Sequence, residues 1–454
     1  MIMKTRKIVL IGCGSAVFTH GLVADLIVSE DLGSWELGLV DIDPSALETA
    51  EGISRRMVAA RNADITIQAS TDRRDILPGA DLVVLTVGVE SRPGWEIDAY
   101  LPRKFGIFQP VGDSVLPGGI SKAMRQVPAL VSIAEDVKKL CPNAMLVNYA
   151  NPMTVNCWAI RTATGMPVVG LCHGTFHVTR ELAGLAGAPA DEVTALYAGL
   201  NHMTFITDLR WKGESLLPIL SKRWQAEKDL PADPKSLGKT FPAELKTNTN
   251  PFSWGLFETY GAYPSANDRH VSEFFPERFP EGRYYGLQFG TEAFSVEEII
   301  AWGEARYQNM RSQALGQKPL DTAIFNRTSG EHEQLIAILR SMTFDERKIF
   351  SANLPNNGTV PNLPADAILE IPVVATASGL RPVQMADFPD TLAAIVNRKL
   401  ASARLTMQAA LQGDRRLFVE ALLVDGAVRD RKQASDLAEA LLDAHRGSLP
   451  NFYH

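Results

Sequence analysis

Only four cysteines occur in 454 residues, at Cys13, Cys141, Cys157 and Cys172. Their number and scattered spacing exclude a disulfide framework and predict a reducing, cytoplasmic setting. Each thiol there either packs as a small apolar group or serves as a ligand. Long apolar runs are also missing, since none approaches the roughly 20 residues that span a bilayer. Met1-Ile2-Met3-Lys4-Thr5-Arg6-Lys7 has the basic start of a signal peptide, but the apolar run behind it is short and broken by glycine. It reads as a first strand. Basic charge is not in excess: 45 Lys and Arg against 52 Asp and Glu leave a formal net charge of -7, which argues against nucleic-acid or anionic-lipid partners. No internal repeat or low-complexity linker interrupts the chain. The hydrophobic content of 46% and charged content of 21% exclude global disorder. The length asks for more than one core, hence two or three domains.

The first 170 or so residues alternate strand-like and helix-like segments. Short apolar runs at 8–11, 37–40, 65–68, 81–87, 144–148 and 168–171 read as strands. The run at 81–87 is apolar nearly throughout, as a strand buried on both faces should be. Helical periodicity covers 16–29, 45–62 and 121–140. This alternation predicts an α/β fold with a parallel sheet and right-handed crossovers. The second half differs. Residues 199–210 and 367–374 read as strands, 214–250 as helices with polar loops, and 295–315 and 391–413 as long helices. Residues 418–445 read as further helix broken near Asp425. A soft boundary falls near residue 197.

Gly12-Cys13-Gly14-Ser15 follows a strand and opens a helix, where backbone amides and a helix N-terminus hold a dinucleotide pyrophosphate. The usual third glycine is replaced by Val17. Asp41 ends the second strand, where a carboxylate bonds a ribose hydroxyl and disfavours a 2'-phosphate, pointing to NAD rather than NADP. Gly12, Gly14, Ser15, Asp41 and Thr86, the last in the 81–87 run, form the candidate cofactor set. The plainer alternative is a glycine turn beside an acidic loop.

Polar candidates gather at strand ends. Asn151, in Asn148-Tyr149-Ala150-Asn151-Pro152, suits a sugar or ribose hydroxyl, or merely a turn. Cys172-His173 follows the next strand, and Asn201-His202 comes later. A thiolate and an imidazole suit an open site for a borderline divalent metal; the alternative is a buried thiol and a core histidine. Asp113 lies in a glycine-rich loop at 111–119, over a ligand or in a local turn. The stretch 260–270 packs Tyr260, Tyr263, Asp268, Arg269 and His270 together, a polar density that suggests a site.

Together, and in this order, these segments resemble glycoside hydrolase family 4, the NAD- and metal-dependent glycosidases. The likeness runs nearly end to end. It includes Gly12 to Phe18, Val40-Asp41-Ile42-Asp43, Asn151-Pro152, Cys172-His173-Gly174, Gly199-Leu200-Asn201-His202 and Asn353-Leu354-Pro355-Asn356-Asn357-Gly358 with Leu363-Pro364 downstream. The family is a known exception to two-carboxylate glycosidase chemistry. The resemblance implies a Rossmann-like, doubly wound NAD-binding domain over residues 1–196. An α+β substrate-binding and oligomerisation domain over 197–454 would follow, with an architecture like that of lactate/malate dehydrogenase. It implies NAD+ and Mn2+ or another divalent metal, a glycoside substrate, and a homodimer or homotetramer. The implied reaction oxidises the sugar at C3, removes the C2 proton and eliminates the glycosidic oxygen. Cys172 and His202 match the metal ligands, Asn151 and His173 the sugar contacts, and Asp113 the general acid. The base position, three residues after Pro264, holds Asn267, which cannot act. Asp268 is then the expected base, with Tyr260 and Tyr263 behind it.

The Cys-His-Gly form is similar to that of members acting on free α-glucosides and α-uronides. The run Asp268-Arg269-His270 with Glu273 resembles the α-galacturonidase branch. A uronate carboxylate needs a cation, for which Arg269, Arg92 and Arg125 are candidates beside His270. The expected substrate is thus an α-galacturonide, with neutral α-glucosides or α-galactosides as the alternative. Two other readings remain at this stage. One is a malate/lactate-type 2-hydroxy-acid dehydrogenase, which would need neither a metal thiolate nor so long a second half. The other is a non-catalytic NAD-binding protein.

Overall fold

The computed structural model describes residues 5–15, 18–230, 236–239, 246–326 and 333–453. The expected helix start at Ala16, the Val17 substitution and parts of the 214–250 stretch lie outside these residues. Strands β1 (Arg6–Ile11), β2 (Trp35–Val40), β3 (Ile65–Ser70), β4 (Leu82–Leu85), β5 (Met145–Asn148) and β6 (Val169–Gly170) run parallel in the order β3-β2-β1-β4-β5-β6. This is the doubly wound dinucleotide-binding order. β4 and the Ile8-Val9-Leu10-Ile11 stretch of β1 are buried. Their apolar character follows from helices covering both faces. The flanking helices carry their own signals: Asp43 caps Pro44–Arg61 by accepting from Ser45 N, and Pro44 stands in its first turn.

Apart from one two-stranded ribbon, the described strands of the second half extend the same sheet. β7 (Val193–Leu200) and β8 (Met203–Trp211) form a hairpin, and the short β9 (Glu214–Ser215) and β10 (Tyr263–Ser265) both pair with β8. A small ribbon joins β11 (Arg283–Tyr284) to β12 (Leu287–Gln288). β13 (Ile349–Pro355), β14 (Ile368–Thr376) and β15 (Gly379–Pro382) complete the set. β13 pairs antiparallel with β6, β14 with β13, and β7 with β14, so the described residues form one continuous sheet from β3 to β10. The expected boundary between residues 196 and 197 falls inside β7.

One lateral row crosses this sheet. Val40 pairs with Ile11, Ile11 with Leu85, Leu85 with Asn148, and Asn148 with Gly170. The row continues from Gly170 to Asn353, Glu370, Gly199, Thr204 and Ser265. The row is tight at Gly170, where a Cβ would stand 2.6 Å from Met153 Sδ and 2.8 Å from Asn353 Cβ. Only glycine lets β13 come this near β6.

The C-terminal helices fasten onto the first half. Asp390–Gln412 packs on Leu116–Leu140 and Met153–Thr164, and Arg431–Ala444 packs on Ser91–Arg103. The helix expected at 121–140 starts earlier, at Leu116, so Pro117-Gly118-Gly119 is its first turn and not a loop. A buried charge cluster locks the layers. Arg125 Nη2 lies 2.5 Å from Asp98 Oδ2, while His445 faces Glu90 Oε2 at 2.6 Å and Asp98 Oδ1 at 3.0 Å. Arg125 is therefore a structural cation and not the uronate partner considered above. No described helix is long and apolar enough to cross a membrane, and none of the four cysteines forms a disulfide.

Removing one partner of a buried pair strands the other charge, at about 3–5 kcal/mol. Asp98→Ala should lower unfolding free energy by about that amount, read from the urea midpoint; a loss below about 1 kcal/mol would show that Arg125 and His445 find other partners.

Candidate active site

Most candidate segments begin within a few residues of the lateral row; Asp113 comes instead from the loop before the helix Leu116–Leu140. Gly12 follows Ile11, Asp41 follows Val40, and Thr86 follows Leu85. Asn151, Cys172 and His173 leave the ends of β5 and β6, His202 lies in the turn joining β7 to β8, and His270 comes shortly after β10. This is the carboxyl edge of the parallel strands, where open α/β sheets place ligands.

The glycine turn is built for close approach. Gly12 has φ +86°, and a Cβ there would stand 2.8 Å from the backbone of Thr86 and Val87. Thr86 Oγ1 donates to Gly12 O at 2.9 Å. Gly14 N donates to Asp41 Oδ2 at 2.8 Å, so the acid at the end of β2 faces the turn as expected. Ser15 Oγ accepts from Phe18 N, where the first helix begins. A tight turn, a helix N-terminus and a facing carboxylate fit an adenine dinucleotide with a free ribose 2'-hydroxyl.

The second centre joins both halves. Ligand atoms of Asp113, His202 and His270 all lie within 4.8 Å of one another. Asn151 Nδ2 donates to Asp113 Oδ2 at 2.9 Å and Ser114 Oγ to Asp113 Oδ1 at 2.8 Å. Ser114 Oγ also lies 3.1 Å from His202 Nδ1, which leaves Nε2 of that ring for a ligand. His202 takes φ +68°, a left-handed conformation uncommon outside glycine. Its ring lies 4.0 Å, centroid to centroid, from that of His270.

Burial lowers the His202 pKa to about 4, with His173 and Arg269 adding to the effect and Asp113 opposing it. Burial likewise holds His270 well below the usual imidazole range, helped by His202 and Arg269. Both rings are neutral at pH 7, the form that binds a metal. Asp113 behaves oppositely. Burial pushes its pKa up, but Lys122, the two histidines and the Asn151 amide outweigh this and hold it below the usual carboxylate range. Lys122 Nζ lies 3.9 Å from Asp113 Oδ2. The loop carrying Asp113 is held in turn by Glu273, whose Oε1 accepts from Val111 N at 3.0 Å and Gly112 N at 2.6 Å. Imidazole and carboxylate donors converging at this spacing suit a borderline or hard divalent cation.

Some expected residues stand elsewhere. Asp268 is buried and its carboxylate is occupied: it accepts from Phe252 N, Ser253 N, Ser253 Oγ and Tyr284 OH at 2.6–2.8 Å. It supplies the N-terminal cap of the helix Pro251–Tyr260 from a distant part of the chain. Its placement does not offer it as the base. Tyr260 ends that helix, half-buried against the core. Arg92 pairs with Glu304 and lies over the Tyr307 ring, which commits it to the helix Val296–Ala314. Asn267 Nδ2 reaches Glu181 Oε2 at 3.4 Å. Cys172 lies outside the Asp113–His202–His270 triad, and its Sγ accepts from Gly174 N at 3.4 Å. His173 stands at the start of the helix Gly174–Leu185. It is near enough for its charge to act on both cluster histidines. Ser114, Lys122 and the role of Glu273 were not foreseen. Lys122 lies on the helix Leu116–Leu140, which the Asp113 loop enters.

Comparison with known proteins gives this architecture its family. Residues 7–187 match the family 4 glycosyl hydrolases and residues 197–428 match the C-terminal domain of the same family. The chain belongs to the family 4 glycosyl hydrolases. It is 29% identical to an α-galactosidase of Rhizobium meliloti (strain 1021), over 100% of this chain and 91% of that one. It is 28% identical to an α-galacturonidase of Bacillus subtilis (strain 168), over 96% of each. Its fold matches the crystal structure of a 6-phospho-α-glucosidase from gut microorganisms in complex with NAD and Mn2+. That match has a TM-score of 0.84 at 19% identity, over 98% of this chain and 99% of that one.

Burial raises the Glu273 pKa to about 8, reinforced by the Asp113 charge and opposed by the two backbone donors and Arg269. An acid raised in the folded state binds a proton that the unfolded state has released, so stability falls as pH rises from the unfolded value toward 8. Wild type should therefore lose up to about 1.4 kcal/mol per pH unit between pH 5 and 8 relative to Glu273→Gln. Urea titrations across that range check it, and parallel stability profiles would contradict it.

Proposed function

We propose that this protein is an NAD- and manganese-dependent α-glycosidase acting on α-galacturonides. The observation that carries the reading is the convergence of Asp113, His202 and His270 beside Asn151, on the same sheet edge as the glycine turn and Asp41. The reaction oxidises the sugar at C3, removes the C2 proton, expels the glycosidic oxygen and reverses these changes with water. When bound, the nicotinamide supplies a hydride acceptor and the divalent cation a Lewis acid for sugar oxygens.

The chain's own residues do the rest. Gly12, Gly14 and Ser15 cradle the pyrophosphate, while Asp41 and Thr86 line the cofactor side. His202, with Nδ1 turned to Ser114, and Cys172 would hold the cation, with the His270 ring beside that of His202. Asn151 and His173 bond the sugar hydroxyls. Asp113 is the proton-transfer group: Lys122 and the Asn151 amide keep it ionised at rest, ready to receive a proton before it returns one to the leaving oxygen. Arg269 and Lys122 are the cations that face this centre, and a uronate carboxylate would meet them there. The match across both halves of the chain leaves the dehydrogenase alternative without support.

Nitrophenyl α-galacturonide, α-galactoside and α-glucoside, assayed with NAD+, Mn2+ and a reductant, test the reading. Turnover should vanish when either cofactor is omitted, and kcat/KM should favour the galacturonide by at least about tenfold, the effect of one charge-assisted contact. Preference for a neutral sugar would reject the uronide assignment, and turnover without NAD+ would reject the mechanism. Asp113→Asn should lower kcat by about 10²–10⁴ while leaving NAD+ binding unchanged.

A further inference from the structure

Glu370 is a carboxylate in the middle of an otherwise apolar strand, 1% exposed, at the centre of the lateral row. Burying it without compensation would be costly. The strand retains it with a full set of donors. Its Oε1 accepts from Thr175 Oγ1 at 2.8 Å and Ser351 Oγ at 2.9 Å, and its Oε2 accepts from Asn201 Nδ2 at 3.0 Å. Thr175 Oγ1 is also 2.8 Å from Ser265 Oγ.

These partners are not scattered. Thr175 lies in the first turn of Gly174–Leu185, directly after Cys172-His173. Asn201 is the neighbour of His202 in the β7–β8 turn. Ser265 ends β10, whose chain goes on to Arg269 and His270. Three segments reach the candidate centre from separate parts of the sequence; Thr175 and Asn201 bond this carboxylate directly, and Ser265 reaches it through Thr175, each within a few residues of a candidate side chain. Ser351 is different, because its strand β13 carries no residue of the centre.

We propose that Glu370 is the positioning residue of this site: its buried carboxylate sets the Cys172-His173 segment, the His202 turn and the His270 segment relative to one another. The inference rests on the reading of the centre as a metal-assisted glycosidase site. It assigns Glu370 no contact with substrate or metal. Its effect passes through Thr175, Ser265 and Asn201 to the side chains that make such contacts, as outer hydrogen-bonding partners do at metal sites generally.

The experiment uses the full-length chain and four proteins: wild type, Glu370→Ala, Thr175→Val and Ser351→Ala. Mn2+ affinity is read by the loss of free-ion electron paramagnetic resonance signal, kcat and KM are read on the preferred nitrophenyl glycoside, and NAD+ affinity is read separately. Thr175→Val and Ser351→Ala each remove one hydroxyl from the same carboxylate oxygen, so a merely structural role predicts similar effects. The positioning role predicts a split. Thr175→Val should weaken Mn2+ binding and lower kcat by about 10–100-fold with NAD+ affinity unchanged, while Ser351→Ala stays within about twofold of wild type in both, since it loosens no segment of the centre. Glu370→Ala should weaken Mn2+ binding at least as much as Thr175→Val. If Glu370→Ala does not fold, the two hydroxyl variants decide. Equal Mn2+ affinities in Thr175→Val and Ser351→Ala would overturn the inference. Absence of Mn2+ binding by wild type would instead overturn the functional reading on which it rests.

Discussion

The site depends on one constraint, the antiparallel joint at which β13 enters beside β6. Strands that carry the cofactor turn belong to the first half of the chain, and the His202 turn and His270 belong to the second. They share one edge because Gly170 pairs with Asn353, Asn353 with Glu370 and Glu370 with Gly199. Slipping a strand by one residue would turn each side chain to the other face. A slip at this joint would therefore separate the two halves of the centre. The absent side chain at Gly170 and the saturated carboxylate at Glu370 hold the register on either side of Asn353 in the same row.

The electrostatics of the centre follow from that placement. Two histidines brought together in a buried space cannot both be charged, and His202 lowers the affinity of His270 for a proton beyond the effect of burial. Lys122 and the Asn151 amide favour a negative Asp113. Neutral imidazoles beside an ionised carboxylate are what a divalent cation requires, and a carboxylate held ionised is a proton acceptor first. The division of labour suggested by family likeness, an acid at Asp113 and a base at Asp268, gives way to a centre in which Asp113 alone stands at the cluster. Asp268 instead satisfies amides at a helix start.

Much of the fold was legible in the sequence. The apolar runs of the first half gave the strands of the parallel sheet because strands buried on both faces have little choice of composition. The glycine turn with Asp41 was legible for the same reason: close approach and a ribose contact restrict residue type. The continuation of that sheet into the second half was not legible, because antiparallel joining of distant strands leaves no local pattern. Asp268 misled because its position in a polar loop resembled a site, whereas its partners lie at the start of a helix many residues earlier. Arg92 and Arg125 could not be told apart from site cations until their partners Glu304 and Asp98 were in view. Glu370 had given a signal, a lone charge in the apolar run 367–374, which pattern reading assigns to a strand without asking what would satisfy it.

As proposed, the centre assembled along this edge breaks a glycosidic bond by first loosening the proton at C2 of the sugar. Hydrolysis of nitrophenyl α-galacturonide in D2O with NAD+ and Mn2+, followed by proton NMR of the released sugar, tests it directly. The account predicts deuterium at C2 of the product. A released sugar that keeps its hydrogen at C2 would contradict it.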